Sequence, residues 1–139
     1  MKHILYLILF VCILLGSCQA NKEPNKLYEK GISLELAQLR KQEIKDLKYG
    51  LRFSIPEQKQ EAVEGEVRIQ FTLQKPQEII LDFCESADKV KEVNVNGKPT
   101  EYTFLNEHII LPKASTIAGK NEVHIRFTAG DQSLNRNDE

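Results

Sequence analysis

Between residues 46 and 55 every second side chain is apolar: Leu47, Tyr49, Leu51, Phe53 and Ile55 alternate with Lys48, Gly50, Arg52 and Ser54. A period of two predicts a strand with one dry face and one wet face. Pro56 ends it, because proline has no N–H to continue a ladder. After a polar turn at Gln58 to Ala62, Val63, Gly65, Val67, Ile69, Phe71 and Leu73 alternate with Glu64, Glu66, Arg68, Gln70 and Thr72, and Lys75-Pro76 breaks that second strand. Glu78 to Cys84 is apolar on both phases and predicts an interior strand. Val90 to Val95 and Thr100 to Phe104 flank Asn96-Gly97, a pair that favours the primed hairpin turn. Pro99 is tolerable beside that turn only where its missing donor faces solvent. His108 to Leu111, closed by Pro112, and Val123 to Thr128 complete the set, with Lys113 to Lys120 as a loop between them.

One segment ahead of the strands has a different period. From Gly31 to Ile44, Ile32, Leu36 and Leu39 recur at helical spacing and Ser33 can cap the first turn. These elements predict an all-β fold: an antiparallel β-sandwich or saddle-like curved sheet of about seven strands, with one short N-terminal helix. Tyr49, Phe53, Phe71, Phe83, Tyr102, Phe104 and Phe127 fall on the apolar phase and read as core. Cys84 reads as a small buried hydrophobe.

The first residues follow neither period. Twelve consecutive apolar residues, Ile4 to Leu15, follow Lys2 and His3. That run is shorter than the roughly 20 residues a spanning helix needs, and with its basic start it reads as an export signal. Leu15-Gly16-Ser17-Cys18 resembles the bacterial lipoprotein signal, in which the cysteine is acylated and becomes the mature N-terminus. The organisation implied is a signal peptide over 1–17, a polar tether over 18–30, a β domain over 31–130 and a polar tail over 131–139. Cys18 is the lipidation site, membrane lipid is the partner it implies, and the location is the bacterial cell envelope, facing the periplasm or the exterior. Since each buried acyl methylene is worth about 0.8 kcal/mol, two or more chains anchor firmly without spanning.

Composition narrows the function classes. The 139 residues carry a formal net charge of −1 with the two signs interspersed, which argues against nucleic acid as a partner. Of three cysteines, Cys12 lies in the signal and Cys18 would be lipidated, so Cys84 has no partner for a disulfide within the mature chain. HExxH, CxxC, GxSxG and Gly-rich phosphate loops are all missing from the sequence. The remaining candidates are His108 and His124 as metal ligands and Glu64 with Glu66 as an acid–base pair. Against each stands a plainer reading: a solvated imidazole on the polar phase for His124, and surface carboxylates facing Arg68 for the glutamates. No catalytic, cofactor-binding or metal residue is assigned.

From Gly31 to Asn137 the chain resembles the N-terminal domain of the aminopeptidase N family of zinc metallopeptidases. The resemblance rests on the order and spacing of GISLELAQLRKQEIKDLKYGLRFSIP, VEGEVRIQFTL, EIILDFCESADKVKEVNVNGKP, HIILP and AGKNEVHIRFTA. It implies a saddle-like β domain that packs on a thermolysin-like catalytic domain and walls the active-site cavity. In the family the zinc and its HExxH and GxMEN motifs belong to that next domain, and none of them matches a position here. The resemblance therefore implies a membrane-anchored scaffold module, inactive alone, with a catalytic aminopeptidase domain as partner and peptide as substrate only in the full-length enzyme. It reads as an interrupted form of such an enzyme, with 131–139 the start of a continuation. The alternative is a stand-alone lipoprotein β module that binds a protein or glycan.

The lipobox makes a direct prediction. Cys18→Ser should abolish incorporation of labelled palmitate and release the chain from the membrane fraction; continued labelling of that variant would refute lipidation at Cys18.

Overall fold

The computed structural model describes residues 25–130; the signal, most of the expected tether and the 131–139 tail lie outside them. The ordered elements are α1 (Leu34–Glu43), β1 (Lys45–Ser54), β2 (Glu64–Leu73), β3 (Ile79–Asp82), β4 (Val90–Val95), β5 (Lys98–Pro99), β6 (Thr103–Leu105), β7 (His108–Leu111) and β8 (Gly119–Thr128). The eight strands form two antiparallel sheets, ordered β1-β2-β8-β4-β5 and β3-β7-β6. The fold is all-β with one helix, as the alternation predicts.

Cross-strand register explains the core. Residues directly opposite one another share a face, so the pairings line up three apolar rows across the larger sheet. These are Tyr49–Ile69–Val123–Val95, Leu51–Val67–Ile125–Val93 and Phe53–Gly65–Phe127–Val90. Ile79, Ile109 and Leu111 of the smaller sheet pack on them to form the main core. The other phase of the smaller sheet, Ile80 and Ile110, faces α1 and buries Leu36. Ser33 caps α1 as expected, its Oγ accepting from the Leu36 amide at 3.1 Å.

The Asn96-Gly97 turn has φ of 53° and 76°, the primed geometry. Its second arm is shorter than the sequence suggests. β5 pairs for two residues on the outer edge, where Pro99 needs no donor, and the chain then crosses to the smaller sheet as β6. That crossing makes eight strands where about seven are expected. Asn106 and Glu107, with φ of 50° and 67°, make a second tight hairpin between β6 and β7. β8 begins at Gly119, four residues before the alternation becomes visible, because Gly119 to Glu122 pair with β2 before any core side chain enters.

Five expectations are corrected. The dry face of β1 is not covered: Leu47, Tyr49, Leu51, Phe53 and Ile55 are 46–64% exposed, so Tyr49 and Phe53 are not core residues. The second sheet reaches over β2, β8 and β4 but not over the outermost strand. β3 is an edge strand rather than an interior one; it is apolar on both faces because the larger sheet covers one and α1 the other. Cys84 is exposed, lying just past the end of β3. Ile32 lies 63% exposed, outside the face of the helix that packs. Of the residues expected to form the tether, Leu27 and Tyr28 pack against the Leu36 cluster.

Gly65 is the tightest point of the β1–β2–β8 surface. A Cβ there would lie 2.4 Å from the Phe127 ring, which is held edge-on by Phe53 at 6.2 Å and Phe83 at 5.6 Å. Gly65→Ala should destabilise the chain by about 1–3 kcal/mol in urea unfolding, the usual range for an overpacked core site. An unchanged midpoint would mean the ring swings aside freely.

Candidate functional site

The face that remains open is built by the strand order. β1 pairs with β2 on one side only, so its outer backbone edge is unpaired and its apolar face is only half covered by the rest of the described fold. Fully burying a side chain of this size is worth about 1.5–3 kcal/mol. Five such side chains left half-exposed forgo several kcal/mol, a large amount beside a typical stability of about 5–15 kcal/mol. A scattered exposed leucine needs no explanation, but a contiguous strip marks an interaction surface.

Beside the strip runs a groove between the edges of the two sheets. One part, about 360 Å³, lies between α1, β1 and β3 and is lined by Ile44, Leu47, Tyr49, Ile69, Phe71 and Leu81 among others. A second, about 270 Å³, continues along Tyr49, Leu51, Val67, Phe83 and Phe127. A wider depression of about 650 Å³ near Asp46 is more polar. Its amide side chains are already engaged: Gln70 Nε2 donates to Glu122 at 2.8 Å, and Asn121 bonds Ile117, Gly119 and Asn96. The apolar groove is therefore the stronger site candidate.

The titratable candidates are scattered by the fold. His108 is 1% exposed, in the smaller sheet; its Nε2 lies 2.8 Å from the Glu29 carbonyl. Its Nδ1 lies 3.0 Å from Asp82 Oδ1, but off the line of a hydrogen bond, so the contact is electrostatic. Asp82 is held in turn by both guanidinium nitrogens of Arg40, at 2.7 and 2.8 Å, and Arg40 also donates to the Ile80 carbonyl. This chain joins α1, the edge of β3, the start of β7 and the segment before the helix. It is a structural staple, and its buried imidazole cannot meet a substrate.

His124 is on the opposite, polar face of the larger sheet, 3.1 Å from Glu66 and again poorly aligned. Burial pushes the Glu66 carboxyl up, but the Arg68 hydrogen bond and the neighbouring His124 outweigh it, leaving it below the usual range. A carboxyl held ionised in that way is not a general acid. Glu64 reaches Thr128 instead. With the two histidines in different sheets, and with no group of three metal-capable side chains among the described residues, the donors here do not fit a zinc site. Comparison with protein-family models and with curated proteins found no match for the chain.

Sequence reasoning missed both the open strip and the Arg40–Asp82–His108 staple. Only strand order reveals which dry face is left uncovered, and the staple's partners are 42 and 79 residues apart in the chain. Asp82→Ala should lower stability by about 1–3 kcal/mol, since it leaves a partly buried guanidinium and a buried imidazole facing no carboxylate. Thermal unfolding of the full chain measures it, and an unchanged Tm would show that the staple contributes nothing.

Proposed function

We propose that this chain is a membrane-anchored scaffold module that seats a second polypeptide on its open β1 face, and that the second polypeptide is the catalytic domain of a zinc aminopeptidase. The observation that carries the scaffold reading is the apolar surface four strands wide, buried at β8 and β4 and uncovered at β1. The aminopeptidase assignment is supported by the order and spacing of the sequence segments that resemble that family's N-terminal domain. Acylation of Cys18 holds the module at the envelope membrane. Its own residues supply support and cavity wall: they exclude water from the seated surface and fix its orientation, while peptide-bond hydrolysis belongs to the partner.

The test uses the full chain in detergent. Alone, it should release no product from aminoacyl p-nitroanilides. Co-produced with a polypeptide that carries the HExxH catalytic domain of such an aminopeptidase, it should form a stable complex with peptidase activity. Hydrolysis by the chain alone, or failure to associate with that HExxH polypeptide, would overturn the assignment.

A further inference from the structure

The polar face of the larger sheet specifies what belongs next to β1. Across one row, Arg52, Glu66, Arg126 and Glu92 lie opposite one another in succession, so the sign of charge alternates strand by strand. Glu66 feels the Arg52 charge, and Arg126 contacts Glu92 at 3.5 Å. Two rows further along, Lys48 faces Gln70, which is bonded to Glu122. At the free edge both rows therefore end on a cation, and Lys48 has no ion pair among the described residues. Between them lies Gly50, with open space where a side chain would stand. On the reverse face the same stretch presents Tyr49, Leu51 and Phe53.

We infer that β1 accepts an added antiparallel strand from another polypeptide, one carrying carboxylates four residues apart with apolar residues flanking the position midway between them. In the order acidic–apolar–any–apolar–acidic, the two carboxylates fall opposite Arg52 and Lys48. The two apolar residues fall opposite Leu51 and Tyr49, and the middle residue sits over Gly50, where a bulky side chain has room. Main-chain bonds to the free edge supply affinity and the alternating side chains supply selectivity, as in strand addition generally. The inference rests on the scaffold reading and names the chemistry of the segment that docks.

Other occupants fit less well. Two β1 strands paired antiparallel about Gly50 set Lys48 of each copy opposite Arg52 of the other, and like charges directly opposite are destabilising; paired about Leu51 their apolar strips overlap fully, but Lys48 then faces Ser54 and Arg52 faces Gly50, so neither cation meets a carboxylate. Residues 131–139 contain one large apolar side chain, Leu134, too few to cover the strip. The edge of β3, across the groove, is partly closed by Arg40, which occupies the Ile80 carbonyl.

The experiment titrates the full chain in detergent with two blocked nonapeptides labelled with a fluorophore. In one, valines alternate with polar residues and glutamates occupy the two specified positions; in the other those glutamates are lysines. The glutamate peptide should bind at least about tenfold more tightly, given two opposite-charge pairs in place of two like-charge pairs. Lys48→Glu combined with Arg52→Glu should reverse the preference, and Leu51→Lys should abolish binding of both peptides while leaving the circular dichroism unchanged. Equal binding of the two peptides, no binding of either, or a preference that survives the charge reversal would overturn the inference. If the complex with the HExxH polypeptide still forms in that case, the scaffold reading stands without this docking chemistry; if both fail, that reading falls too.

Discussion

Everything in this fold depends on how far the three-stranded sheet reaches across the apolar rows of the five-stranded one. Where it reaches, Val123, Leu111 and Ile109 are 0–1% exposed and the core is dry. Beyond it, rows of identical character run out into solvent at β1. The boundary is set by strand length and order rather than by any change in sequence chemistry. β3, β6 and β7 are three or four residues long, against ten each for β1, β2 and β8. Three short strands cannot roof the four longer ones, β1, β2, β8 and β4, at the strand spacing of about 4.8 Å, so one side of the larger sheet must stay open or be covered by something else.

The opposite face of the same sheet has no such imbalance. Its charges alternate across strands, and Glu66 and Glu92 are held ionised beside Arg68 and Arg126. For Glu92 the Asn94 hydrogen bond is the main stabiliser of the charged form, ahead of Arg126. A face solvated in this way needs no partner. Lys45, Lys48 and Arg52 along β1 also discourage indiscriminate edge-to-edge pairing, the usual role of cations on an edge strand. One strand thus combines an apolar strip that favours association with a charge pattern that restricts what may associate.

How much of this could be read from the sequence follows from how local each cause is. Ser33, Pro56, the Asn96-Gly97 turn and Pro112 act within a few residues, and the helix start, the end of β1, the hairpin and the end of β7 fall where those residues place them. Alternation located β2 and most of β8 because it is a property of consecutive residues. It could not distinguish a covered dry face from an open one, which is why Tyr49 and Phe53 read as core and are not. Cys84 failed for a related reason: its neighbours Leu81 and Phe83 are apolar, but the strand ends at Asp82 and the thiol turns outward. The role of His108 depends on Asp82, Arg40 and Glu29, three residues brought together only by the packing of the helix on the smaller sheet.

That packing bears on the open edge as well. Arg40 locks α1 to β3 through Asp82 and occupies the Ile80 carbonyl, while Tyr28 donates to Glu78 and Asn106 Nδ2 to the Tyr28 carbonyl. The hydrogen bond to Glu78 leads the causes that raise the Tyr28 pKa, so the phenol stays a donor. Together these contacts spend the N-terminal segment on the smaller sheet, the one whose edge would otherwise compete with β1 for a strand. Had the helix lain instead across β1, the apolar strip would be roofed and Ile80 and Ile110 would lose the cover that Leu36 gives them. The Arg40–Asp82–His108 staple therefore has an indirect effect at a distance: by fixing the helix on the smaller sheet, it leaves the apolar face of β1 without that cover.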